Sequence, residues 1–429
     1  MPSSSLAPRP RSLPWDRIRW TIMGLIFLGT FINYIDRQTL SVLAPALQKD
    51  LGLTNFQYAK IGTVFLATYS LSMSGWGWVF DRLGNRIAYA LAIAWWSLAE
   101  MAHGAARGLL SFALLRGALG LGESGAWPGA ARTVTAWFEP SDRALGIGIS
   151  NAGTAIGSAV AAPLIIWLDL RWGWRVTFIA TGALGFIWLT AWWLLYPRQE
   201  PVRGSGGSPL ASPNAAGRRI HSSIFTSRKV IGLILARFLC DPVWWLYVNW
   251  LPLYLHNARG FTLREIGASA WFPFVCAGVG SLTGGLFSRA VIRHTGSVNL
   301  ARKWAIAIGG VLMPVGAGAI WVASPYAALG CIGVTLFAFQ FWIGNVQALP
   351  TDLVGMSALG SVSGAAGTAA GIGAMIFTLS TGWVVDHFSY TPILVVAGLL
   401  APVASIILLF TLGRIERIDG TVAPTLASG

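Results

Sequence analysis

A chain of 429 residues that is 55% hydrophobic and only 11% charged cannot coat a water-exposed surface, since a soluble domain carries about 25% charged residues. Its apolar excess must face lipid, and windows of about 20 apolar residues recur along the whole length, which excludes a soluble domain with one anchor. The formal charge of +14 does not indicate a nucleic-acid partner, because the basic residues sit in short loops between apolar stretches and form no contiguous basic face.

In chain order, residues 1–18 are rich in Ser, Pro and Arg. They lack the apolar core of about 7–15 residues of a cleaved signal peptide and read as a cytoplasmic tail. Membrane spans are expected at 19–41, 58–79, 86–104, 109–136, 144–167 and 174–195, and again at 230–255, 265–290, 302–322, 327–353, 359–382 and 390–411. Between the two sets, residues 196–229 form a polar stretch, Gly-, Ser-, Pro- and Ala-rich at 204–217 and followed by Arg218, Arg219, Arg228 and Lys229. Such a composition buries no core and is expected to be a flexible cytoplasmic linker. With the N-terminus cytoplasmic, about 20 of the 30 Lys and Arg residues fall on cytoplasmic segments and about seven on the other side, while Arg37, Arg116 and Arg237 lie inside spans. This is the positive-inside asymmetry.

The expected fold is an all-α membrane protein with twelve transmembrane helices in two six-helix, pseudo-symmetric bundles, 19–195 and 230–412, and a cytoplasmic tail at 413–429. The run NAGTAIGS at 151–158 in span five echoes AAGTAAGI at 365–372 in span eleven, at an offset of 214 residues. Small residues at these spacings also serve plain helix packing. Two halves related by an axis along the membrane normal would enclose a site near the midplane.

Ionisable residues inside a span are costly and mark function by default. Span one carries NYIDRQ at 33–38, with Asp36 and Arg37 about 100° apart around the helix. Span four carries Arg116 and Glu123, seven apart and so on one face, about 10 Å along the axis. Two readings stand together. In one, salt bridges staple span one to span four. In the other, Asp36 and Glu123 exchange protons during transport while Arg37 holds an anion, since burial favours the neutral carboxyl, a nearby guanidinium favours the ionised one, and Arg suits a carboxylate.

Between spans two and three, GWVFDRLGNR at 77–86 resembles the G-x-x-x-D-R-x-G-x-R signature of the major facilitator superfamily. Gly77 would permit close helix approach, Gly84 turn freedom, and Asp81 a pairing with a basic partner or a helix N-terminus, with Arg82 and Arg86 completing the motif. Its counterpart at 285–293 is degenerate. Asn33, Tyr34, Asp36 and Arg37, Arg116 with Glu123, and WPG at 127–129 resemble the anion:cation symporter family of bacterial hexuronate and galactonate permeases. RFLCDPVWW at 237–245, continuing to Trp250 and Pro252, is similar to the hexuronate branch. The resemblance covers about residues 17–412. It implies proton-coupled uptake of a sugar acid, with Asp36 and Glu123 as protonation sites, Arg37 as the carboxylate-binding arginine, and Tyr34 and Tyr69 hydrogen-bonding the substrate. Thr154 stands where galactonate-type relatives carry Gln.

Asn151 can bond sugar hydroxyls or a neighbouring helix; Asn345 and Gln347, with Gln340, give span ten a polar face suited to lining the cavity. Ser363 and Thr368 read as packing. Arg237 and Asp241, four apart, suit an internal helix pair. Glu100 is expected near the outer interface, and the five His residues are scattered without metal-ligand spacing. Cys240, Cys276 and Cys331 read as packing residues, most Trp as interfacial belts, and Trp244, Trp245 and Trp271 as belt residues or stacking partners for a sugar ring. No metal or cofactor is expected. The partners are a small organic anion, protons and the lipid bilayer, and a monomer suffices because one bundle pair encloses a pathway. The location is the bacterial inner membrane, multi-pass, with both termini cytoplasmic. An integral-membrane enzyme would need a nucleophile with a base or a metal cluster, and neither stands out. An exporter, antiporter or uniporter of the same fold, or a transporter-like receptor, is the alternative.

Overall fold

The structure is a computed structural model that describes residues 13–138, 143–198, 223–354 and 356–418. Every regular element among these residues is helical, as a chain in lipid requires when each backbone N–H and C=O must be satisfied within its own segment. The helices are α1 (Leu13–Leu51), α2 (Asn55–Ala102), α3 (Leu109–Glu123), α4 (Ala126–Trp137), α5 (Arg143–Leu195), α6 (Ser223–Thr226), α7 (Arg228–Arg259), α8 (Leu263–Ser269), α9 (Phe272–Thr295), α10 (Val298–Leu312), α11 (Pro325–Leu353), α12 (Met356–His387) and α13 (Tyr390–Leu412). Turns of 3-10 helix follow at His103–Ala105 and Met313–Ile320.

Eight helical stretches are by length and composition able to cross a membrane. The 48 residues of α2 would run about 72 Å if straight, more than twice the hydrocarbon thickness. Gly84 at φ 72° breaks this helix, and Gly173 at φ 75° does the same in α5; only glycine takes this conformation cheaply. With α2 and α5 counted as two rods each, and α3–α4, α8–α9 and α10 with its 3-10 extension as one each, the elements fit the twelve expected spans. Span four is interrupted at Ser124 and Gly125, because Pro128 has no N–H to offer the Ser124 carbonyl. Of the expected linker at 196–229, residues 199–222 lie outside the described residues, as do 1–12 and 419–429 of the two tails; its described end is helical, with α6 at Ser223–Thr226 and α7 starting at Arg228. Helix begins at Leu13, inside the expected N-terminal tail.

Sequence sets the helix ends. Thr54 and Gln57 form a capping box that starts α2, Thr262 and Glu265 form another before α8, and left-handed glycines Gly260 and Gly296 end α7 and α9.

Small residues let α5 press on α1 and α12 on α7, two of the most extensive helix contacts. A Cβ at Gly157 would stand 2.5 Å from the Phe31 carbonyl oxygen, and one at Gly373 would collide with the Phe238 carbonyl oxygen. The letter-for-letter echo is therefore displaced from the contacts. Gly367, aligned with Gly153, faces open space, and Gly371, aligned with Gly157, faces Ser70 of α2 instead. Small residues recur on more than one helix face, so matching letters does not fix the packed face. Gly157→Val is expected to destabilise the protein by about 1–3 kcal/mol, read as a lower thermal midpoint in detergent; a midpoint equal to wild type would mean that α1 yields freely.

The tryptophans are only partly a belt. Trp20, Trp78, Trp167, Trp304 and Trp321 are exposed, but Trp96, Trp137, Trp192, Trp250 and Trp342 are fully buried. Trp188, Trp192 and Tyr196 stack in sequence along α5, with Tyr89 of α2 edge-on to both indoles. Tertiary packing outbids the interface here, because Trp188 and Trp192 find backbone acceptors inside, at the carbonyls of Leu25 (2.7 Å) and Arg86 (2.9 Å).

The two halves of the chain meet chiefly along α2–α12, α1–α7, α5–α9 and α5–α8. Asp386 accepts from the backbone N–H groups of Asn55 (3.0 Å) and Phe56 (2.8 Å) and from the Asn55 amide (2.8 Å). Tyr58 donates to the Asn249 carbonyl (2.7 Å). These contacts lie at the end away from the chain termini.

Candidate functional site

The apolar flanks of 33–38 keep α1 helical through its charged run, so burial falls on Asp36, Arg37 and Gln38 together. Arg37 is 6% exposed, Asp36 and Glu123 0%. The Arg37 guanidinium reaches α3, where Nη2 and Nε both donate to Glu123 Oε2, at 2.7 and 3.0 Å. Nη2 also faces Asn33 Oδ1 at 3.4 Å. Both donors converge on Glu123 Oε2, and the Asn33 side chain is a further hydrogen-bonding neighbour of this carboxyl.

Four rings surround this cation, Tyr34 and Tyr69 at 4.9 Å, Phe65 at 5.4 Å and Trp245 at 5.6 Å to their centroids. Desolvated cation–π contacts are worth about 2 kcal/mol or more, which offsets part of the cost of burying the charge. Trp245 comes from α7 in the other half of the chain, so the cage spans the interface between halves. A cavity of about 20 Å³ lies beside Arg37, lined among others by Tyr58, Arg116, Asn249 and Thr378. That space holds about a single water.

The expected pair of staples is half present. Arg37–Glu123 is one. Arg116, 2% exposed, directs Nη2 at the Arg37 carbonyl at 3.5 Å and leaves Nε unpartnered. Asp36 forms no salt bridge among the described residues, and its hydrogen-bonding neighbour is the Trp96 indole. The acid and base in each span are split between different neighbours because adjacent positions diverge by about 100°.

The other expected site residues lie elsewhere. Asn151 is exposed on α5. Gly153 abuts the Phe27 carbonyl, which puts Asn151 roughly 15 Å along α1 from Arg37. Gln347 is exposed on α11. Asn345 is buried and fully used, its amide donating to the carbonyls of Phe341 (3.0 Å) and Gly284 (3.3 Å) and accepting from Arg302 (3.1 Å). It borders a separate cavity of about 370 Å³ with Arg289, Arg293 and Arg302. The expectation that Asn345 lines the central cavity is corrected on that ground: a polar face on a helix can serve either neighbour.

In the 77–86 elbow, Arg132 of α4 donates to Asp81 at 2.5 Å. Arg82 covers Trp78, and Arg86 covers Trp193 and donates to its carbonyl at 3.0 Å. Gly77 meets nothing within 4 Å, so the close approach expected there is absent; it occurs instead at Gly125 against Trp76 and at Gly129 against Tyr89 and Phe80. Arg237 and Asp241 form the internal helix pair, at 2.9 and 2.6 Å. Trp244 stacks on Phe339, and Trp271 donates to its own turn at Ala268.

Glu100 is the residue that sequence reasoning misplaced. It is wholly buried, not interfacial, and lies 3.9 Å from the equally buried His103. Among the described residues no group of three or more His, Cys, Asp or Glu could hold a metal ion.

A match to the Major Facilitator Superfamily covers residues 26–378. The chain is 31% identical over 392 residues to the hexuronate transporter of Escherichia coli K12, covering 88% of this chain and 90% of that one. It is 28% identical over 419 residues to the D-galactonate transporter of Escherichia coli O6:H1, 94% and 97% covered. It is 31% identical over 327 residues to the galacturonate transporter of Dickeya chrysanthemi, 73% and 94% covered. In fold it is similar to a bacterial homologue of the human lysosomal transporter Spinster, in an inward-facing and unoccupied conformation, at TM-score 0.71 and 19% identity, over 93% of this chain and 96% of that one.

Proposed function

Since this multi-pass chain belongs to the Major Facilitator Superfamily and is a membrane transporter, we propose that it carries a sugar-acid monoanion, a hexuronate foremost, inward across the bacterial inner membrane together with protons. The observation that carries the reading is the Arg37–Glu123 pair, sealed in an aromatic cage that both halves build. A substrate carboxylate competes with Glu123 for Arg37. Protonation of Glu123 removes that competitor, and the planar guanidinium then takes the carboxylate through two parallel N–H donors. Tyr34 and Tyr69 stand at the rim of the same cation to receive sugar hydroxyls, and Arg116 holds the backbone of α1 at Arg37. Proton and anion thereby favour the same state, which coupling demands.

Both termini and the 77–86 elbow are cytoplasmic in this reading, so the Asn55–Asp386 and Tyr58–Asn249 contacts close the outer side. Asn151, Gln347 and Thr368, exposed in this state, would flank the cytoplasmic opening between two six-helix bundles that rock about the central site. Names of relatives support the substrate class: hexuronate, D-galactonate and galacturonate transporters.

Counterflow in proteoliposomes tests it. Preloaded galacturonate or glucuronate is expected to drive uptake of the labelled acid, aldonates less, and neutral hexoses not at all. Counterflow with neutral hexoses and none with any sugar acid would overturn the reading.

A further inference from the structure

The central charges do not balance. Asp36, Glu100 and Glu123 are all wholly buried carboxyls, while among the described residues only two guanidiniums, Arg37 and Arg116, are buried with them. Arg37 is committed to Glu123, which leaves Arg116 as the positive charge acting on both Asp36 and Glu100. The hydrogen-bonding neighbours of these two carboxyls, the Trp96 indole at Asp36 and the Thr39 and Thr181 hydroxyls at Glu100, are all neutral. Two buried carboxylates cannot both stay ionised beside one cation without a large desolvation cost, so one of them holds a proton.

The neighbours of Glu100 suit a proton path. Thr39 of α1 and Thr181 of α5 act on its carboxyl. Arg116 and Glu123 of α3 supply the charges, and Arg175 of α5 lies further out, over the Trp174 ring. His103, one turn on from Glu100, stacks on Phe178 at 5.1 Å and lies 5.7 Å from Phe112. Its Nδ1 faces the Ala99 carbonyl at 2.7 Å. A carbonyl only accepts, so Nδ1 carries the hydrogen and the unpartnered Nε2 is a bare acceptor in the neutral ring. The ring sits at the end of α2, on the side away from the chain termini.

We infer that Glu100, fed through His103, is an additional proton-carrying station that loads Asp36 from the outer side. A proton taken up at Nε2 makes an imidazolium. The ring turns, gives that Nε2 proton to the Glu100 carboxylate, and returns neutral with its hydrogen still on Nδ1, facing Ala99. The O–H of Glu100 then breaks as that of Asp36 forms. This path rests on the proton-coupled reading above and separates the residues that admit the proton from Glu123, which trades it against the anion.

The test compares two rates in proteoliposomes: uptake driven by an imposed inward proton gradient, and counterflow, in which the loaded carrier exchanges without net proton movement. Glu100→Gln is expected to slow driven uptake by about tenfold or more relative to counterflow, and Glu100→Asp, which keeps a carboxyl, to restore part of it. Should Glu100→Gln not reach the membrane, His103→Gln must show the same split. Equal loss, or no loss, of both rates overturns the inference. Wild-type protein that exchanges sugar acid but never accumulates it under the gradient overturns the proton-coupled reading itself, and this path with it.

Discussion

Replacing Arg37 with alanine is expected to abolish sugar-acid counterflow. The guanidinium is the partner of Glu123 and the centre of the four-ring cage, so truncation removes the carboxylate anchor and strands a buried acid. Losing one member of a buried, hydrogen-bonded charge pair costs about 2–5 kcal/mol, which corresponds to roughly 30-fold to several-thousand-fold in affinity. Arg37→Lys keeps the charge but presents a point donor, not a planar fork, and should recover only part of it. Binding of galacturonate by the detergent-purified variants, measured calorimetrically, separates lost affinity from lost movement. Wild-type affinity in Arg37→Ala would place the anion elsewhere.

Glu123→Gln has the second large expected effect, on coupling more than on binding. The amide cannot ionise, so Arg37 is permanently free for a carboxylate and the proton no longer decides when. Gradient-driven accumulation should disappear while exchange persists. One coupled proton supplies about 1.4 kcal/mol per pH unit, or about tenfold accumulation, and the variant should fall to no accumulation under the same gradient. Full acid-driven accumulation by Glu123→Gln would refute its role as a coupling site. Glu100→Gln should differ in kind, reaching the wild-type ratio slowly, because a station on the path alters the rate and not the end point.

The depth at which the charges lie was legible only in part. Asp36, Arg37, Arg116 and Glu123 stand out because each interrupts a long apolar run well inside its span, and all are buried together. Glu100 sits near the end of its apolar run, where letters do not say how far the next helix covers it. The structure covers it with α1, α3 and α5. Asn345 and Asn151 were polar residues on plausible faces, yet one is used up by Arg302 and the backbone and the other lies well along α1 from Arg37. Trp245 carried no signal for a cation in the other half.

Composition and periodicity alone required helices, since lipid offers no partner for an open backbone, and they located the ionisable residues whose desolvation makes them functional. What only the tertiary structure decided is which of those charges touch. Arg37 chose Glu123, Asp36 was left beside the Trp96 indole without a salt bridge, and Glu100 joined the cluster. The physical reason is range. Helix formation is settled within a few residues along the chain, whereas a buried ion's partner is set by how helices distant in sequence rotate and pack against one another.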